Sequence, residues 1–256
     1  VERRRLSSSV GSTIRLGRGR ARPPSAGGPR AGARRRVRKR TSDREARRAA
    51  PGWLRGGAVD VSTNMLERAR EHLAPHAQRV SVLLADAAAL PINARADAVF
   101  STATLHWVPD HPRLFKSLYH ALKPGGRLVA QCGGGANIAR VHHRAEVLMR
   151  AAPFAPFFAH WRDPWEFAGT EVTAARLAAA GFVDVVTSIE PAPAAMPDAE
   201  AFTAFLATVI CRPHLEYLPD ESLRQAFLAL LTGQAAGDDP PFELDYWRLN
   251  ISARRP

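Results

Sequence analysis

Cysteine is scarce in this 256-residue chain: Cys132 and Cys211 stand far apart, so no disulfide framework is expected to hold the fold. Long apolar runs are missing, and none approaches the ~20 residues that a membrane-spanning helix needs. The arginines near the amino terminus lead into Leu6-Ser7-Ser8-Ser9 instead of an apolar segment, which argues against export and makes the cytoplasm the expected compartment. Metal-ligand spacing is wanting too. His142 and His143 are adjacent on an expected helix, where side chains diverge by ~100° and cannot share one ion, so no metal is expected.

One stretch also lacks large apolar residues. Residues 1–57 consist mainly of Arg, Gly, Ala, Pro and Ser, and after Leu16 only Val37, Trp53 and Leu54 interrupt them. Such a composition cannot bury enough surface to offset the entropy of ordering, so the segment reads as disordered. Its one strand-like piece is residues 9–16, where Val10, Ile14 and Leu16 alternate imperfectly. The net charge of +12 resides here: seventeen Arg and one Lys face Glu2, Asp43 and Glu45, whereas the remaining residues carry 18 basic and 21 acidic side chains. The body is mildly acidic, which points away from nucleic acid as its partner despite the basic tail.

From residue 58 to 256 the chain reads as one α/β domain. A strand around Val59 ends in Asp60, and a helix over 62–73 carries Met65, Leu66, Ala69 and Leu73 on one face before Pro75 stops it. A strand over 80–84 runs into Ala85-Asp86-Ala87, and another over 96–100 runs into Ser101-Thr102-Ala103-Thr104-Leu105-His106-Trp107. A helix over 112–122, the turn Lys123-Pro124-Gly125-Gly126 and a strand over 127–131 follow. Beyond them come Cys132-Gly133-Gly134-Gly135, a helix over 138–149, an aromatic and proline-rich connection, a helix over 170–180 and a strand over 182–189. A helical insertion is expected around 198–231, and a last strand over 242–251.

The acid at the tip of the Val59 strand, the Ala-Asp-Ala after the next strand, the Ser101 to Trp107 stretch and the Leu-Lys-Pro-Gly-Gly turn together resemble the class I S-adenosylmethionine (SAM)-dependent methyltransferases. Within them the likeness is to the branch typified by trans-aconitate methyltransferase, over residues 57–255. It implies a Rossmann-like sheet with helices on both faces, strand order 3-2-1-4-5-7-6 and an antiparallel seventh strand. SAM is the implied cofactor, with Asp60 accepting the ribose hydroxyls, Val61 and Met65 near the adenine, and Asp86 and Ala87 on the adenine amino group. Ser101, Thr102 and Leu105 follow the fourth strand, where donor and acceptor meet. An acid at a strand tip can accept two hydrogen bonds from a diol; the bland alternatives for Asp60 and Asp86 are a helix-start acid and a turn aspartate.

The same likeness requires a first strand and a Gly-x-Gly loop about twenty residues before Asp60, and that place holds Arg34-Arg35-Arg36-Val37-Arg38-Lys39-Arg40. Gly17-Arg18-Gly19 imitates the loop but lies too far upstream and lacks a preceding acid. The central strand is therefore expected to be missing or replaced by the tail, exposing strand edges and an apolar surface. Either the tail is a true basic segment, or residues 1–57 derive from a shifted reading frame; the abrupt change at Gly57 favours the second.

The partner implied by resemblance is a small-molecule acceptor, such as a small carboxylic acid yielding a methyl ester. Arg140, Arg162 or Arg248 could clamp its carboxylate through paired N–H donors. His106 could orient or deprotonate it, Trp107 could wall the pocket, and Gly133 to Gly135 reads as a flexible pocket edge. Methyl transfer relies chiefly on alignment, so no catalytic residue is compulsory. An alternative within the fold is a hydroxyl or acyl-carrier substrate. From a different class, the chain could be an inactive remnant that binds a partner through its tail.

Overall fold

The computed structural model of the protein describes residues 13–18 and 55–256. In chain order these form β1 (Thr13–Arg18), β2 (Arg55–Asp60), α1 (Thr63–Leu73), β3 (Val80–Leu84), β4 (Ala96–Thr102), α2 (His111–Ala121) and β5 (Leu122–Gly133). They continue with α3 (Ala139–Met149), α4 (Thr170–Ala179), β6 (Val183–Pro191), β7 (Ala194–Ala195), α5 (Ala199–Phe205), α6 (Arg212–Tyr217), α7 (Glu221–Ala236), β8 (Glu243–Leu244) and β9 (Trp247–Arg254).

Local chemistry sets the helix starts. Ser62 precedes α1 and its hydroxyl accepts from the Met65 N–H at 3.4 Å, while Asp110 precedes α2 and accepts from the Arg113 N–H at 2.9 Å. Pro112 sits in the first turn of α2, where its missing N–H costs nothing. Leu114, Phe115 and Leu118 recur at helical spacing and are fully buried against the sheet.

Seven strands make one sheet in the order β3-β2-β1-β4-β5-β9-β6. β2 and β3 pair in parallel, as do β4 and β5, and β9 is antiparallel to both β5 and β6. The order is the one that the resemblance implies, with β9 in the seventh place.

At the central position a piece of the tail stands where the resemblance requires the family's first strand, and this piece is ordered. Thr13–Arg18, inside the segment read as disordered, is a strand that pairs antiparallel with both β2 and β4. Without it, both inner edges would present unpaired N–H and C=O groups, and the most strand-like stretch of the tail supplies their partners. The rest of the tail, residues 1–12 and 19–54, lies outside the described residues. Because β1 runs antiparallel, Gly17 pairs with Gly56 and Ala98, at the end of the sheet away from Asp60. The Gly17-Arg18 pair therefore does not take the place of the family's glycine loop.

Helices α2 and α4 cover one face, enclosing Val99, Leu128, Leu177, Leu249 and Ile251. On the other face, α1 packs on β2 and β3, but beyond β4 no helix among the described residues covers the sheet. Phe100, Val129, Ser252 and Val186 stand side by side across β4, β5, β9 and β6, and the three apolar members are 44%, 45% and 64% exposed.

A second core joins α3, α5, α6 and α7 with the aromatic connection, around Phe154, Phe158, Phe202 and Phe227. The strand expected over 242–251 is broken in two. β8 pairs with β7, and the chain then bends at Asp245 before β9. The break has a cause: Asp245 accepts from the Ile138 and Arg140 N–H groups through its carbonyl and carboxylate, closing the start of α3.

Candidate functional site

The carboxyl ends of β2, β3, β4 and β5 share one edge of the sheet, where parallel α/β folds bind ligands. Val59 and Ser101 both stand opposite Ile14 of β1, so Asp60 and Thr102 end their strands at the same level, two strand spacings or about 10 Å apart.

Asp60 is half-used. Its Oδ1 accepts from the Ser62 N–H at 2.9 Å, whereas Oδ2 is buried without a hydrogen-bond partner among the described residues. Burial pushes its carboxyl above the usual aspartate range, with the Ser62 and Val61 N–H groups opposing. An ordered pair of hydroxyls would relieve that cost, and SAM carries such a pair on its ribose. The residues present thus fit the ribose end of the cofactor.

The neighbours are arranged less uniformly. Val61 is 74% exposed and Met65 partly buried on α1. Asp86 is exposed and its Oδ1 accepts from the Ala88 N–H at 2.8 Å, capping the single turn that Ala87 begins. Ser101 is fully buried with its hydroxyl unpartnered, and Thr102 is partly open, its carbonyl accepting from the Thr104 hydroxyl at 3.0 Å. Leu105 departs from the cofactor role expected of it: its side chain lies wholly inside the main core, so only its backbone can face a ligand.

His106 is fixed from both sides. Its Nδ1 accepts from the Gly133 N–H at 3.2 Å, and its carbonyl accepts from the Glu166 N–H at 2.9 Å. Burial, aided by the charge of Arg248, lowers its pKa to about 3. The ring is therefore neutral, with the proton on Nε2, and a base role is a poor fit. Trp107 and Phe167 flank it at 5.6 and 5.5 Å, and Trp165 lies 5.3 Å from Trp107. A polar circuit behind the loop holds it in place. His111 Nε2 donates to the Leu105 carbonyl at 3.2 Å, its Nδ1 accepts from Arg176 at 3.2 Å, and Arg176 also binds Glu166 at 2.8 Å.

Of three further expectations, those for Arg140 and for the Gly133 to Gly135 run need correction. Arg140 is not available to clamp a carboxylate, because Asp238, Glu243 and Asp245 surround it at 3.5–3.7 Å. Arg162 is exposed on the aromatic connection, where nothing in the structure tests its role. Gly133 to Gly135 is tightly packed, not flexible. An added Cβ would lie 2.7 Å from the Asn137 side chain at Gly133, 2.6 Å from Leu249 at Gly134 and 2.7 Å from Ile189 at Gly135, where φ is also +58°.

Sequence reasoning missed Gly133 as a partner of His106, and Glu166 and Phe167 as its supports. The glycine run marked a place of close approach; no local pattern tied the aromatic connection to residue 106.

Comparison with known proteins adds the family. The methyltransferase domain family matches residues 44–130, beginning thirteen residues before Gly57, so the likeness reaches further upstream than the motifs alone indicate. The trans-aconitate 2-methyltransferase of Methylobacterium radiotolerans is 33% identical over 201 residues, covering 72% of this chain and 69% of that protein. Its namesake from an Azoarcus species is 31% identical over 196 residues, with the same coverages. Among solved structures, the phosphoethanolamine N-methyltransferase 2 of Haemonchus contortus with S-adenosyl-L-methionine bound is 19% identical, with a TM-score of 0.44 over 77% of this chain and 42% of that one. The chain belongs to the class I SAM-dependent methyltransferases and resembles their trans-aconitate branch.

Proposed function

We propose that this enzyme methylates a carboxylate of a small organic acid, giving a methyl ester. SAM, when bound, supplies a methyl group activated by a positively charged sulfur. Asp60 would hold its ribose, Asp86 and Ala87 its adenine, and Ser101 and Thr102 would border the end that carries the methyl group.

The observation that carries this reading is the state of His106. An alcohol must lose a proton as it is methylated, and a base is then useful. His106 is the histidine of the loop after β4, yet its Nδ1 lone pair already takes the Gly133 N–H and its other nitrogen bears the proton, and the loop's other titratable side chain, Asp110, caps α2. A carboxylate brings its own negative charge and needs no base. Its negative charge and the donor's positive charge cancel as the neutral ester forms, so positioning is the main task left to the protein. The similarity to trans-aconitate 2-methyltransferases agrees with an acid as acceptor.

The test is incubation of the protein with methyl-labelled SAM and matched panels of small carboxylic acids and alcohols. Base-labile label on acids is expected. Label on alcohols alone would overturn the proposal.

A further inference from the structure

We propose that Arg248 is the residue that recognises the acceptor's carboxylate, with the Nε2–H of His106 as a second donor. This rests on the acid-methylating reading above and goes beyond it by naming the recognition site.

The topology brings the two together. β9 runs against β5, so its amino end lies beside the carboxyl end of β5, and Arg248 is the register partner of Gly133. Gly133 is also the residue whose N–H fixes His106. Both side chains therefore flank one backbone position at the ligand-binding edge of the sheet.

Arg248 is unlike the other arginines of the body that packing engages. Arg140, Arg144, Arg176 and Arg254 each face a carboxylate, and Arg255 donates to the carbonyls that end α2. Arg248 has no carboxylate or hydrogen-bond partner among the described residues. Its guanidinium lies over the ring of Tyr246, 4.7 Å from the centroid, which steadies the group and leaves its N–H edges open. The obvious internal partner is Glu190, opposite Arg248 on β6, but that carboxylate accepts from Asn250 at 3.1 Å instead. Gly133 has no side chain to intervene, and Asn137 turns its oxygen to the Trp247 N–H at 2.9 Å.

A partly buried, unpaired guanidinium beside a neutral N–H donor is a fork for an anion. Arginine pairs with a carboxylate through two parallel hydrogen bonds, so it recognises planar oxygen pairs in particular. In a di- or tricarboxylate it would bind one carboxylate while another meets the methyl donor. The reacting carboxylate oxygen forms the new bond to the methyl carbon, and the carbon–sulfur bond breaks with its electrons staying on sulfur. No proton is released, so nothing in the site has to accept one.

The experiment uses the full chain and trans-aconitate as the probe acid. Binding of S-adenosylhomocysteine and of trans-aconitate is measured by calorimetry, and KM and kcat by transfer of labelled methyl, for wild type, Arg248→Gln and Arg248→Lys. In Arg248→Gln we expect KM and the dissociation constant for trans-aconitate to rise about ten- to a hundredfold, with the S-adenosylhomocysteine affinity held. Arg248→Lys keeps the charge without the fork and should fall between. Unchanged acid binding in either folded variant overturns the role of Arg248 and leaves the acid-methylating reading intact. A wild-type protein that methylates alcohols but no acid overturns that reading and this inference with it.

Discussion

The Gly133 N–H reaches across from β5 to donate to Nδ1 of His106 at 3.2 Å, locking the ring that follows β4. The bond makes His106 a donor at Nε2, and burial holds its pKa near 3, so it does not titrate in the working range of most enzymes. The kcat/KM for a carboxylate acceptor should therefore be level between about pH 6 and 8.5. A limb near pH 6.5 would show that His106 gains or loses a proton in the cycle. His106→Asn, which can still accept from Gly133 but has no Nε2–H, should weaken acid binding about tenfold and spare S-adenosylhomocysteine.

Asp60 invites a different prediction, because the atom proposed to hold the cofactor's ribose is buried without a partner when no ligand is bound. Its buried Oδ2 has no partner and its pKa is raised by burial. Asp60→Asn keeps an oxygen for the Ser62 N–H and removes the buried charge. The ligand-free variant should melt at a higher temperature than wild type, and calorimetry should find S-adenosylhomocysteine affinity lower by about ten- to a hundredfold. Lower stability together with full affinity would mean that Asp60 only caps the turn into α1.

Much of this architecture is legible in the chain, and the reasons are local. Asp60 announces itself as an acid closing a short apolar strand before a Ser-capped helix, and α2 shows its buried stripe in Leu114, Phe115 and Leu118. What stays hidden depends on contacts between distant segments. Arg140, Arg162 and Arg248 look alike in sequence. Only the fold surrounds Arg140 with three carboxylates and leaves Arg248 beside Gly133. The strand Thr13–Arg18 is legible in part: Ile14 and Leu16 alternate as a strand requires, but its central antiparallel place comes from the two edges that β2 and β4 present.

Gly134 offers a test of the packed glycine run. A Cβ there would come within 2.6 Å of Leu249 Cβ and 2.8 Å of the Ala168 carbonyl, and neither is the end of a flexible side chain. Gly134→Ala should therefore cost about 1–3 kcal/mol as overpacking, read from denaturant unfolding. Gly233→Ala is the control. Nothing lies within 4 Å of a Cβ at that helical position, so the change should be neutral or mildly stabilising. Equal effects at both would remove the packing argument.

Acid should loosen the helical core before it unfolds typical proteins. His214 is buried between Trp161, at 4.4 Å, and Phe227, at 5.7 Å, and burial lowers its pKa to about 3. His106 shares that value, and burial moves His111 and His142 in the same direction. In the unfolded chain each takes a proton near the ordinary 6.5. Between those values the unfolded state binds more protons, so this contribution is complete above about pH 6.5 and is lost as pH falls toward 3. The melting temperature should drop from pH 7.5 to pH 5, and His214→Phe should reduce the drop. An identical drop in that variant would clear His214 of the effect.

The open sheet face sets the behaviour of the protein at high concentration. Phe100, Val129 and Val186 lie in one cross-strand row, each at least 44% exposed, with only Ser252 polar between them. Contiguous apolar surface of this kind favours association, because each contact removes ~25 cal/mol for every Å² taken out of water. Sedimentation and light scattering should show self-association that grows with protein concentration and with sulfate. Replacing Val129 and Val186 by Thr keeps β-branched shapes suited to strands while adding a hydroxyl that water can solvate. The double variant should remain monomeric to higher concentration with a melting temperature close to that of wild type, since neither side chain is part of the core. Association that persists unchanged in this variant would place the sticky surface elsewhere and leave the open face without consequence.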